Sequence, residues 1–230
     1  MRGLTTRIGT VLAVFAVLSP TALAQSPSGG AEAPSGAPAP FALSGGGNAF
    51  LGKRVRFRGA VARKLAGRSV VVQYLDPVAQ AWTDQATTTV RPDGTFVARW
   101  KPRHIGQFRT RALVGRGAHT ASASPELALN VFRPAIATFF GPGLYGRTTA
   151  CGQELTEDLV GVAHRSLPCG TNVAVRYGST TIVVPVVDRG PYAGRAKWDL
   201  TKAAADLLGF AQTDRIGAIT LAPAAQPASR

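Results

Sequence analysis

The sequence predicts an all-β protein whose first half is an antiparallel sandwich of immunoglobulin or fibronectin type. Three observations predict it. Short apolar–polar alternations recur between residues 53 and 132, Gly- and Pro-rich turn signals separate them, and a single late stretch has capped helical spacing. Period-two alternation puts every second side chain on one face, which is the signature of half-buried strands.

The first residues stand apart from that fold. Arg2 and Arg7 flank an apolar run, Ile8 to Leu18, and Ala22-Leu23-Ala24 precedes Gln25. This pattern reads as a secretory signal peptide over 1–24, cleaved near Ala24-Gln25. It is too short for a stable membrane anchor, so the expected mature chain has no transmembrane segment and is secreted, periplasmic or wall-associated. Residues 25–47 are Pro, Gly, Ser and Ala with one charge, Glu32. Such a stretch buries too little apolar surface to offset its backbone entropy and reads as a disordered linker. Residues 224–230 read as a flexible tail.

The first module spans 48–132. KRVRFRGAV (53–61) alternates Val55 and Phe57 with Arg54, Arg56 and Arg58, which predicts a strand with one wet, cationic face. Further strands are predicted at 69–75, 87–90, 95–100, 108–114 and 127–132, with turns at Pro92-Asp93-Gly94, Pro102 and 115–117. Trp82 and Trp100 read as core anchors, and His104 and His119 as loop residues. The module carries fourteen Lys and Arg against four acids, whereas 133–223 carries nine against seven. Most of the chain's net charge of +14 therefore sits in the first module. After export, such a charge suits an anionic wall polymer. No zinc-finger spacing, helix-turn-helix or RNP-like aromatic pattern supports nucleic acid as a partner.

The second module spans 133–223. ATFFGPGLYGRTTACGQ (137–153) reads as a glycine-rich, loop-rich surface. NVAVRYG (172–178) and TTIVVPVVD (180–188) read as strands joined at Gly178-Ser179, with Pro185 marking an edge or bulge. DLTKAAADLLGF (199–210) reads as a helix with Asp199 at its N-cap and Gly209 at its close, and DRIGAITLA (214–222) as the last strand. Cys151 and Cys169 are the two cysteines of the chain. An even count in an exported chain favours a disulfide. The rivals are a metal site, for which only His164 lies nearby, and a nucleophilic thiol. No metal or other cofactor is expected.

ATFFGPGLYGRTTACGQ, GVAHRSLPCGTNVAVRYG, VVPVVDRGPY and WDLTKAAADLLGF together resemble, in order and spacing, the double-psi β-barrel of the rare lipoprotein A (RlpA) family over about residues 135–222. Expansins share this barrel. The resemblance implies six strands, one or two short helices, and an open groove for an extended polysaccharide such as peptidoglycan. It places Asp188 and Asp199 as candidate catalytic carboxylates and Thr138 facing them. His164 matches the family's groove histidine, Tyr145, Tyr192 and Trp198 are candidate sugar-stacking aromatics, and Arg189 and Gln153 line the same region. Gln153 departs from the family, whose active members carry a glutamate there; an amide transfers no proton at working pH. The family's lipid-anchor cysteine and peptidoglycan-binding repeat do not figure in this sequence.

These residues predict an exported protein that binds and remodels wall glycan, in an expansin-like way without cleaving it. The alternative is an endolytic peptidoglycan lytic transglycosylase using Asp188 or Asp199. A third reading makes the barrel a scaffold for adhesion.

Overall fold

The computed structural model describes residues 41–115 and 122–221. The signal segment, residues 25–40 of the linker, His119 and the 224–230 tail lie outside the described residues. The described residues all fall in one compact unit.

Strands dominate. In chain order they are β1 (Ala42–Ser44), β2 (Gly47–Phe50), β3 (Val55–Ala60), β4 (Ser69–Leu75), β5 (Trp82–Thr89), β6 (Thr95–Trp100), β7 (Gly106–Val114) and β8 (Ser122–Ala123). There follow β9 (Leu127–Phe140), β10 (Val162–Ala163), β11 (Asn172–Tyr177), β12 (Thr180–Asp188), β13 (Trp198–Thr201) and β14 (Asp214–Thr220). Helix α1 (Lys202–Leu208) lies between the last two.

The N-terminal strands form two sheets. One runs β1-β3-β6; the other begins β5-β4-β7-β9, with β2 also on β9 and β8 on β7. Val55, Phe57, Phe96, Ala98 and Trp100 of the first sheet share a core with Val70, Val72, Ala112, Leu129 and Val131 of the second. Burying each of the larger side chains stabilises the fold by about 1.5–3 kcal/mol. The strands expected at 69–75 and 95–100 are β4 and β6 without change. Trp100 is buried as expected, but Trp82 is half-buried with the Arg111 guanidinium 4.0 Å above its ring. It is a cation–π platform rather than a core anchor.

The linker expected through residue 47 ends earlier, because Ala42–Ser44 pairs with β3. Its glycines have a packing role. A Cβ on Gly45 would lie 2.5 Å from the Arg56 carbonyl oxygen, and one on Gly46 2.8 Å from that of Ala128. Both residues have positive φ, so glycine lets the chain pass from one sheet to the other at backbone distance.

The boundary expected at 132/133 falls inside β9. Through Phe132 this strand pairs with β2 and β7; from Arg133 onward it pairs with β14, and from Ala137 with β13. Pro134 lies between the last β2 pairing, at Phe132, and the first β13 pairing, at Ala137. The loop-rich stretch expected from Ala137 therefore begins as strand and turns to loop only at Gly141. Phe50 and Phe132 pack with Ala174 and Ile219 where the two modules meet. Gly217 allows this, since a Cβ there would lie 2.7 Å from that of Phe132.

The C-terminal strands close into a six-stranded barrel in the order β13-β10-β12-β11-β14-β9, with β9 returning to β13. The β11–β12 hairpin turns at Gly178-Ser179 as expected. The bulge suggested by Pro185 appears just beyond it: Val162 pairs with Val186 but Ala163 with Asp188. Val162, Val173, Leu200 and Ile216 fill the interior, capped by Ala204, Ala205 and Leu208 of α1.

Asp199 is not the helix cap. It lies in β13, opposite Thr138 of β9 and Ala163 of β10, and Thr201 is the N-cap, its Oγ1 accepting from the Ala204 N–H. Strand pairing on both sides holds Asp199 and Leu200 extended, and threonine serves as the cap at 201. Gly209 closes the helix in the left-handed conformation, as expected.

Candidate functional site

Barrel closure places the chemistry. Across neighbouring strands β9, β13, β10 and β12, the register sets Thr138 opposite Asp199, Asp199 opposite Ala163, and Ala163 opposite Asp188. His164 follows directly on Ala163, and its N–H donates to the Asp188 carbonyl at 3.2 Å. Four residues distant in sequence thus form one transverse row.

The two carboxylates have different surroundings. Asp188 Oδ1 accepts from the backbone N–H groups of Ala150 and Arg189, both at 2.8 Å, which fixes its orientation. Asp199 accepts from the Thr138 hydroxyl at 2.6 Å. Burial pushes the Asp199 carboxyl above its ordinary value; the Thr138 hydrogen bond opposes this and the negative charge of Asp188 adds to it. The two carboxylates thus sit in unlike environments, one half-buried with a raised pKa and one oriented by two backbone N–H groups.

His164 Nδ1 accepts from the backbone N–H groups of Ser166 and Leu167 at 3.3 and 3.1 Å. With Nδ1 engaged as acceptor, the neutral ring carries its proton on Nε2. Burial lowers its pKa, and the cations Arg165, Arg189 and Lys197 lower it further. Its ring lies 4.4 Å from that of Trp198.

The expected aromatics divide. Tyr192 is 74 % exposed and presents a free ring, whereas Trp198 is 7 % exposed and belongs to the barrel core. A buried indole supports the His164 ring and offers no open face to a sugar. Tyr145 is half-buried with its hydroxyl over Gly141. Gln153 is exposed, its backbone tied to Thr149 by hydrogen bonds at 2.7 and 3.2 Å.

The cysteines are joined, with their Cα atoms 5.7 Å apart. The bridge ties the loop carrying Gln153 to the Pro168–Gly170 turn, and the Arg189 guanidinium lies 3.9 Å from Cys151 Sγ. Among the described residues no cluster of three or more metal-ligating side chains occurs.

Several participants carry no signal in residue type. The Ala150 N–H that holds Asp188 is a backbone group. Arg165 fastens the crossover loop by donating to the carbonyls of Pro191 and Ala196. A concavity of about 120 Å³ beside Asp188 is lined by Phe140, Leu144, Arg147, Thr149 and Leu155. The density of glycines from 141 to 152 marked this loop without revealing which backbone groups face the row.

Residues 136–221 match the family described as lytic transglycolase. A stretch of 78 residues is 42% identical to the probable endolytic peptidoglycan transglycosylase RlpA of Synechocystis, covering 33% of this chain and 24% of that protein. A stretch of 76 residues is 40% identical to the probable RlpA of Aquifex aeolicus, covering 32% of this chain and 34% of that protein. Against the endolytic peptidoglycan transglycosylase RlpA of Campylobacter jejuni the chain is 35% identical over 72 residues, covering 30% and 26%. The matched stretches thus span between about a quarter and a third of these curated relatives. The barrel is an RlpA-like double-psi β-barrel.

Proposed function

We propose that this RlpA-like barrel binds peptidoglycan glycan strands and cleaves them as an endolytic lytic transglycosylase. One observation carries the reading: Asp199, half-buried and hydrogen-bonded to Thr138, keeps its proton above the ordinary carboxylate range beside Asp188. Asp199 donates that proton to the glycosidic oxygen as the bond from the sugar's C1 breaks. The sugar's own C6 hydroxyl then attacks C1, and its proton returns to the Asp199 carboxylate. No water enters the product, which is a 1,6-anhydro sugar end. Asp188 steadies the developing positive charge at C1, and Tyr192 stacks on a neighbouring ring. The RlpA names of the relatives support the substrate class.

Incubating the full chain with glycan strands and analysing the soluble fraction by mass spectrometry tests this. Anhydro-muropeptides are expected, and their loss in Asp199→Asn. Their absence from the unsubstituted protein overturns the cleaving reading.

A second reading rests on Gln153. If the amide at that exposed position leaves the site short of a carboxylate, the barrel binds and loosens glycan in an expansin-like way. Gln153→Glu then converts a non-cleaving protein into a cleaving one. In both readings residues 1–24 direct export, the N-terminal sheets form an immunoglobulin- or fibronectin-like module, and the protein works in the periplasm or cell wall. Among the described residues no helix is long and apolar enough to cross a membrane.

A further inference from the structure

The β1-β3-β6 sheet has an outer face that the barrel's chemistry does not use. Along β3 the residues alternate, with Val55 and Phe57 buried and Arg56 and Arg58 exposed; Arg54, also exposed, precedes them. On β6, Phe96, Ala98 and Trp100 are buried and Arg99 is exposed. The antiparallel register sets Arg56 directly opposite Arg99, and Ser44 opposite Arg58. Directly opposed like charges destabilise an antiparallel pair. Among the described residues no acid stands at the outward positions of these three strands, which are Ala42, Ser44, Ala60, Thr95, Val97 and the arginines. Of the module's described acids, Asp76 follows β4, Asp84 lies in β5 and Glu126 precedes β9. Asp93 sits in the turn before β6, with its carboxylate accepting from the Thr95 N–H and hydroxyl.

We infer that this face is a docking track for a linear polyol-phosphate polymer of the cell wall, of the teichoic type. Alternate residues on a strand are about 6.8 Å apart, so Arg54, Arg56 and Arg58 repeat a positive charge at that interval. Successive phosphates of an extended glycerol-phosphate chain, separated by six single bonds, are spaced by about 7 Å. Arg99 adds a second charge at the middle step, where forked guanidiniums can grip one phosphate from both sides. Beyond Arg58 the face dips into a depression of about 430 Å³ that is also lined by Arg91.

Two other polyanions suit the face less well. None of the exposed large hydrophobic residues lies on β1, β3 or β6, so nothing is available to insert into a lipid surface. No aromatic side chain stands among the outward positions, so unstacked bases have no platform. The wall setting rests on the function proposed above; the charge geometry does not.

The experiment uses the full chain carrying Asp199→Asn, so that binding is read without cleavage. It is sedimented with wall sacculi that retain their polyol-phosphate polymer and with the same sacculi stripped of it by hydrofluoric acid. Stripping is expected to lower retention at least tenfold. Arg56→Gln with Arg99→Gln should lower retention on unstripped sacculi by roughly tenfold and reduce the salt dependence of binding by about one unit of log–log slope per charge removed. The same pair should leave the melting temperature unchanged or raised, since it relieves a like-charge contact; a merely structural role predicts the opposite. Arg68→Gln with Arg133→Gln, both exposed elsewhere, is the charge-matched control and should bind as the parent does. Equal retention on stripped and unstripped sacculi overturns the inference. So does equal or tighter binding to anionic phospholipid vesicles or to single-stranded oligothymidine at the same salt. Failure of glycan cleavage in the unsubstituted protein bears only on the barrel and leaves this result standing.

Discussion

Thr138 and Asp199 face each other across the parallel β9–β13 pair, hydroxyl to carboxylate, 2.6 Å apart. The contact joins the strand that enters the barrel to the strand that leads into its helix. Its hydrogen bond is the one influence that lowers the Asp199 pKa, against burial and the charge of Asp188, which raise it.

Removing that bond should move the acid further from its ordinary value. In Thr138→Val the Asp199 pKa rises, so the protonated form persists to higher pH. The alkaline limb of the pH–rate profile for anhydro-muropeptide release is then expected to shift upward. The variant should lose roughly tenfold in rate at the optimum, because a hydrogen bond to a charged group also positions it. A profile identical to the parent's excludes Thr138 from the site.

Asp199 also makes stability depend on pH. Its folded-state pKa is raised, so its contribution is fully present below the ordinary carboxylate value and is lost as pH rises through the folded value. Asp199→Asn removes this dependence. Urea midpoints should therefore favour the variant near neutral pH and converge at low pH, while glycan release falls by about 10²–10⁴-fold. A parent midpoint that rises relative to the variant between pH 4 and 7 contradicts the assignment.

The disulfide closes a loop with a sequence separation of 18 residues. Replacing both cysteines by serine should cost about 3 kcal/mol in the chain-entropy account, measured from the urea midpoint. The larger functional effect should be on KM, because the bridge holds the loop that bears Gln153 and the Ala150 N–H.

Phe132 is fully buried where the two modules meet, against Phe50 and Gly217. Phe132→Ala should cost about 3–5 kcal/mol. Because β9 belongs to both modules, calorimetry of the parent should show one cooperative transition rather than two. Two well-separated transitions would falsify that coupling.

The periodic part of the fold was legible in the sequence. β6 follows from alternation, β4 from a short apolar run and the β11–β12 hairpin from two such runs around a Gly-Ser turn, because each satisfies a local rule without help from distant residues. β1, β10 and β13 were not legible: they are two to four residues long and exist through pairing with strands far away in sequence. Asp199 shows the same limit, since local pattern favoured a helix cap and two neighbouring strands held it extended. For the site, resemblance pointed to Thr138, His164, Asp188 and Asp199; the register sets Thr138, Asp199 and Asp188 in one row through Ala163, with His164 next to it in the chain. Trp198 misled because residue type reveals an aromatic but not which way it faces. The Ala150 N–H had no signature at all, because every residue but proline carries one.

β9 also has a mechanical meaning. A wall under turgor pulls on whatever is fixed to it, and a protein held at one end while engaging glycan at the other transmits that tension. Load along β9 runs parallel to its neighbours β7, β14 and β13, so their ladders of hydrogen bonds bear it together in shear instead of parting one at a time. With fourteen residues paired in both sheets, β9 sets tension applied between the two modules along its own hydrogen-bonded ladders, where it is met as shear.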